Sequence, residues 1–194
     1  MRHPKYLLAL VLPLAFFSGC ANTGDEPATQ LLQADQLQFV APPAAKAAQT
    51  DTWMDFSLTL HPNRPATVVV PGFLLHAPRG AVEQTLTITG DWCGDDAQDP
   101  VVGYDFAPDG SEFLVPLRVM FVFLPQSLEG LDPARLTWVL DHEDGTYEVI
   151  PSEVQVLPAH GPGNPGAVRV LAQVEHFSRY LIAIGPPPDN NTTR

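Results

Sequence analysis

The strongest constraint on this chain is how often its hydrophobic pattern is interrupted. Between about residues 52 and 185 there is no long stretch with the 3.6-residue period of an amphipathic helix. Short runs rich in β-branched and aromatic residues stand there instead, cut apart by Pro, Gly and Asp. The runs are Val68 to Leu75, Gln84 to Thr89, Phe113 to Leu124, Arg135 to Leu140 and Thr146 to Ile150. Alternation of period two is clearest in Leu117, Val119, Phe121 and Phe123, and in Leu136, Trp138 and Leu140, with Arg135 and Thr137 on the opposite face. Several such runs at turn-punctuated spacing predict an all-β domain, an antiparallel β-sandwich in preference to a barrel.

Composition limits what this domain does. With 194 residues and 45% hydrophobic content the chain has enough apolar surface for one cored domain. The net charge of -12, with no Lys/Arg cluster, removes the counterion-release drive for nucleic-acid binding, so no nucleic acid is expected as partner. Two cysteines make neither a disulfide scaffold nor a thiolate zinc site, and HExxH, GxSxG and Gly-rich phosphate loops are missing from the sequence.

The first residues read MRHPKYLLALVLPLAFFSGC, with Arg2 and Lys5 ahead of an apolar run from Tyr6 to Phe17. That run is shorter than the roughly 20 residues needed to span a bilayer, and it reads as a signal peptide over 1–19. Phe17-Ser18-Gly19-Cys20 resembles the lipobox of bacterial lipoproteins, with Phe17 where Leu, Val or Ile is usual. The resemblance implies cleavage before Cys20, acylation of that cysteine and a membrane contact through its lipid. Each buried acyl methylene contributes about 0.8 kcal/mol, so two or three chains anchor stably. The implied location is the cell envelope, and Ala21 after the cysteine implies the outer membrane if the cell is Gram-negative. Residues 20–51, rich in Ala, Gln, Pro and Thr, are expected to be the anchor cysteine followed by a flexible linker with a reach on the order of 30 Å. The domain is expected over 52–185. After Gly185 and the prolines that follow it, 186–194 is expected to be a disordered tail, with sequons at Asn190 and Asn191 that matter only in a eukaryotic secretory pathway.

Three segments carry a resemblance within the domain. The first is Gly72-Phe73-Leu74-Leu75-His76-Ala77-Pro78-Arg79-Gly80-Ala81-Val82, followed by Leu86-Thr87-Ile88-Thr89. The second runs from Tyr104 through Pro108-Asp109-Gly110 and Phe113 to Pro116-Leu117-Arg118-Val119, with Tyr147-Glu148-Val149-Ile150 further on after an acidic turn. The third is Val174-Glu175-His176-Phe177-Ser178-Arg179-Tyr180. In that order they resemble the ZU-type domains shared by zonula occludens proteins, Unc netrin receptors and ankyrins. The third resembles the His-Phe-Ser ending of those members that cut their own backbone. The resemblance implies a β-sandwich over roughly Val68 to Ile184.

It also implies a reaction. The Ser178 hydroxyl would attack the Phe177 carbonyl while His176 helps remove its proton; the Phe177–Ser178 C–N bond then breaks as the Ser178 nitrogen takes up that proton, an N-to-O acyl shift that gives an ester which water opens. Side chains at i and i+2 of a flat strand lie about 6 to 7 Å apart, beyond the roughly 2.6 to 3.2 Å that a general base needs. Cleavage therefore requires a kink. Parity places Val168, Val170, Ala172, Val174, His176, Ser178 and Tyr180 on one face. A single strand to Ile184 would exceed the usual 3 to 10 residues, so a break or bulge is expected at His176 and Ser178. The same residues also read as a hydrogen-bonded pair at a strand junction, where nothing is cut.

The remaining candidates are weaker. Acidic groups at Asp91, Asp95, Asp96 and Asp99, at Asp105, Asp109 and Glu112, and at Asp141, Glu143 and Asp144 lack EF-hand spacing and read as solvated turns. His61, His76, His142 and His160 are scattered, and neither metal nor cofactor is expected. Cys93 reads as structural, since its acidic neighbours would raise a thiol pKa. Trp138 reads as core and Trp92 as a candidate binding residue. Three functions fit: a lipid-anchored, non-enzymatic interaction or structural module with an unknown protein partner; the same fold with self-cleavage at Phe177-Ser178; and an ion- or carbohydrate-binding surface domain.

Overall fold

Along one strand Leu117, Val119, Phe121 and Phe123 are buried while Arg118, Met120 and Val122 face outward, and this alternation sets the plane of one of two sheets. The computed structural model describes residues 31–42, 54–95, 100–161 and 165–186. They form β1 (Leu31–Gln33), β2 (Gln38–Phe39), β3 (Phe56–Leu60), β4 (Ala66–Val70), β5 (Phe73–Ala77), β6 (Leu86–Trp92) and β7 (Gly103–Ala107). The later strands are β8 (Glu112–Phe123), β9 (Leu136–Asp141), β10 (Thr146–Ile150), β11 (Ser152–Leu157), β12 (Ala167–His176) and β13 (Arg179–Ile184). The large sheet has the order β1-β10-β9-β13-β7-β6-β3, with β2 on the far end of β13, and the small sheet the order β11-β12-β8-β5-β4. Neighbouring strands run antiparallel throughout. The all-β sandwich is the fold.

Between the sheets lies an aromatic layer. Phe73 and Phe121 pair across β5 and β8, and their rings meet Tyr104 and Trp138 of the large sheet at centroid distances of 4.4 Å for Phe73–Tyr104 and 4.9 Å for Phe121–Trp138. Each such side chain contributes about 1.5 to 3 kcal/mol through burial, and more through ring geometry. The polar ends are satisfied: the Trp138 indole N–H donates to the Val170 carbonyl at 3.1 Å, and the Tyr104 hydroxyl to the Met54 carbonyl at 3.0 Å.

Two expectations need correction. Val68 to Leu75, read as one run, is a hairpin: Pro71 offers no N–H to a ladder, and Gly72 at φ +81° turns the chain so that Val70 faces Phe73. The second concerns the linker. Residues 31–42, expected to be flexible, belong to the fold: β1 pairs with β10 and β2 with β13. The reason is that β9 and β13 are buried on both faces. Val139, Leu181 and Ala183 form a second cluster with Val101 on the side away from the main core, and Leu37 and Phe39 lie against it. The Phe39 ring meets Tyr147 edge-on at 5.0 Å. Val40 is buried, with its N–H bonded to the Ile182 carbonyl at 2.9 Å and its own carbonyl to the Val102 N–H at 2.8 Å. The rest of the expected linker, Cys20, residues 1–19 expected as a signal peptide, and 187–194 lie outside the described residues.

Phe39→Ala is expected to lower stability by about 1 to 3 kcal/mol, seen as a lower urea midpoint at unchanged slope, while Gln38→Ala on the exposed side stays within about 0.5 kcal/mol. Equal, negligible shifts in both variants would return 31–42 to the status of a linker.

Candidate functional site

The chain passes from the small sheet to the large one at Phe177 and Ser178. β12 ends at His176 beside β8, and β13 begins at Arg179 between β9 and β7. The expected break is therefore present, together with a register shift between Val174 and His176. The phase differs from that read by parity. The shift turns Phe177 inward, fully buried, and leaves His176 and Ser178 half-exposed. The Phe177 ring stacks on Phe106 at 5.1 Å and takes the edge of Phe113 at 4.7 Å.

Backbone hydrogen bonds hold the crossing on both sides. The Phe177 N–H donates to the Ser111 carbonyl at 2.9 Å, and the Phe177 carbonyl accepts from the Gly110 N–H at 3.0 Å. The Ser178 carbonyl accepts from the Phe106 N–H at 3.2 Å. These donors and acceptors come from the Pro108-Asp109-Gly110 turn and the residues on either side of it, Phe106 and Ser111, so two of the segments singled out in the sequence meet here. The Gly72–Val82 segment touches the second of these, since the Leu114 N–H donates to the Ala81 carbonyl at 3.0 Å. Tyr180 closes the corner: its hydroxyl donates to the His176 carbonyl at 3.0 Å. No hydrogen bond joins the His176 and Ser178 side chains, and their backbone stays out of the left-handed region.

Beside the crossing lies a cleft of about 830 Å³. One wall is the outer face of the small sheet, with Leu74, Met120 and Leu171 in one cross-strand row and His76, Arg118 and Gln173 in the next. Glu153, paired with Leu171, extends the first of these rows; the other wall is Glu148, Ile150 and Pro151, and Glu175, His176 and Tyr180 close the end. β11 reaches only as far as the pair Ser152 and Ala172, so Gln173 to His176 have no strand beside them on that side among the described residues. A smaller cavity of about 380 Å³ is lined by Met54, Val102, Phe121, Phe123 and Leu124 together with Trp92, which rests against Tyr104 at 5.4 Å.

The outer face of the large sheet carries charges that sequence reading did not join. Across the register Asp141, Arg179, Asp105 and Asp91 stand in one row. Arg179 Nε lies 3.7 Å from the Asp141 carboxylate. Burial pulls the Arg179 guanidinium toward its neutral form, but Cys93, Asp141 and Asp105 outweigh this and hold it above its ordinary range. Burial also pushes Asp105 above the usual carboxylate range, against the pull of Arg179 and with help from Asp91, Glu143 and Asp109. Cys93 thus has a cation beside it as well as the acids of its own loop. Nothing local in the sequence links position 93 to 179; only the register does. Among the described residues no three His, Cys, Asp or Glu side chains converge on a point where a metal ion would sit, and no helix is long and apolar enough to cross a membrane.

No family model, curated protein or solved structure matches this chain.

Two outcomes are expected from substitution and pH. Phe177→Ala removes the ring that fills the corner and should cost about 3 to 5 kcal/mol in chemical denaturation. Burial, followed by nearby carboxylates, raises the Tyr180 and Tyr104 hydroxyls above the ordinary phenol range. Their contribution is complete below the unfolded value of about 10 and is lost as pH rises beyond it, by about 1.4 kcal/mol per pH unit for each tyrosine. Tyr180→Phe should therefore roughly halve that alkaline slope in melts between pH 9 and 11, and an unchanged slope would contradict the assignment.

Proposed function

We propose that the chain is a lipid-anchored extracytoplasmic β-sandwich, tied to the cell envelope through Cys20, which works as a non-enzymatic interaction module. The observation that carries this reading is the union of a locked corner with an open cleft. At Phe177 the ring is buried and both backbone groups are bonded, while the adjoining cleft of about 830 Å³ falls within the range of ligand sites. The corner is held by ordinary ladder and turn hydrogen bonds, with the His176 and Ser178 side chains unlinked.

One observation favours the second reading, in which Ser178 cuts the chain before itself. The Gly110 N–H points at the Phe177 carbonyl oxygen, where the negative charge of a tetrahedral intermediate would develop. A single donor of this kind polarises the bond, and a movement of Ser178 toward His176 would supply the rest.

Intact mass of the full-length protein, under denaturing conditions and beside a Ser178→Ala control, separates the two. The expected result is one uncut chain in both, beginning at an acylated Cys20. Fragments meeting at Phe177-Ser178 and lost in the control would replace the first reading by the second, and an unmodified Cys20 would overturn the anchor.

A further inference from the structure

The cleft beside the crossing has the makings of a strand-addition site. From Gln173 to His176, β12 pairs on one side with β8, and on the other it has no strand neighbour among the described residues. Gln173 and Glu175 are exposed there, so the backbone edge between them is within reach of a partner. A strand laid along this edge would continue the line of β11 and turn alternate side chains to opposite faces. Those facing inward would lie over Ile150 and Tyr180.

Charge selects the occupant. Glu148, which His142 Nε2 approaches at 3.6 Å, Glu153, which accepts from the Gln155 amide at 2.7 Å, and Glu175 line the cleft against one guanidinium, that of Arg118, on a chain of net charge -12. His76 is engaged with the Thr67 hydroxyl at 2.8 Å. Residues 21–30 of the chain itself, which precede β1 and its pairing with Glu148, contain Asp25 and Glu26 and no cation. Like charge disfavours them as occupants, and it disfavours a second copy for the same reason.

We propose that the edge from Gln173 to His176 binds an extended, Lys- or Arg-bearing segment of a partner protein as an added strand. Cationic side chains on its outer face meet Glu175 and Glu153, and the alternating residues lie over Ile150 and Tyr180. The proposal rests on the reading of the chain as an interaction module, and it gives that module a partner class and a location.

The test is fluorescence anisotropy of a labelled Lys-Val-Lys-Val-Lys-Val peptide with the full-length protein in non-ionic detergent at low and at physiological ionic strength. Saturable binding is expected, weakened at least tenfold by the double substitution Glu153→Lys and Glu175→Lys, and to a similar degree by N-methylation of alternate peptide bonds. The exposed pair Glu83→Lys and Glu129→Lys makes the same charge change elsewhere and should leave binding nearly intact. Circular dichroism melts verify that each variant is folded. No saturable binding, equal losses in both double variants, or indifference to N-methylation would each overturn the proposal, the last two by showing adsorption to bulk charge. Intact mass is read separately: an uncut chain that ignores the peptide sinks only the cleft assignment, and a cut chain sinks the non-enzymatic reading whatever the peptide does.

Discussion

The indole N–H of Trp138, fully buried on the large sheet, donates to the backbone carbonyl of Val170 on the small one. An indole N–H in that position has no water to turn to, so losing the bond leaves a buried donor unsatisfied in the core. The contact fixes one sheet on the other at a single point. From it the aromatic layer follows, because Trp138 brings Phe121 and Phe73 into contact with Tyr104. Once β12 is fixed at Val170, its end at His176 is fixed too, and with it the place where the chain has to change sheets.

That dependence explains why the corner and the cleft occur together. A strand that leaves its sheet at Phe177 leaves its last residues without a neighbour on one side, and β11, which starts only after the turn at Pro151, does not reach far enough to cover them. The corner is bound tightly by Phe106, Gly110 and Ser111, while the edge next to it is open. Rigidity and exposure arise from one feature of the topology. This is the usual arrangement for recognition surfaces, in which a fixed scaffold holds an accessible backbone.

Much of this was legible in the residues. The alternation in Leu117 to Phe123 gave the small sheet's central strand, Trp138 between leucines gave the core, and the polar pair at 176 and 178 marked the strand break. The phase at the break was not legible, because the register shift beside β8 turns Phe177 inward in place of His176 and Ser178, while Tyr180, Ile182 and Ile184 return to the core face. The structured segment 31–42 was hidden by its thin apolar content. Its counterpart was visible, however: the unbroken run Tyr180 to Ile184 is what a strand buried on both faces looks like, and such a strand needs a cover on each side. The row from Asp141 to Asp91 and the approach of Arg179 to Cys93 join residues far apart in sequence, and only the strand register brings them together.

The strand order also has a temporal meaning. β13, the last of the thirteen strands among the described residues, lies in the interior of the large sheet, where it pairs with β9, β7 and β2. A chain emerging from its N-terminus can form the β4–β5 hairpin of the small sheet early, yet the two halves of the large sheet have nothing between them until β13 arrives. Until then the sheet presents two open edges where the finished fold has none. The topology thus delays completion of the large sheet until β13 is available to join its two halves.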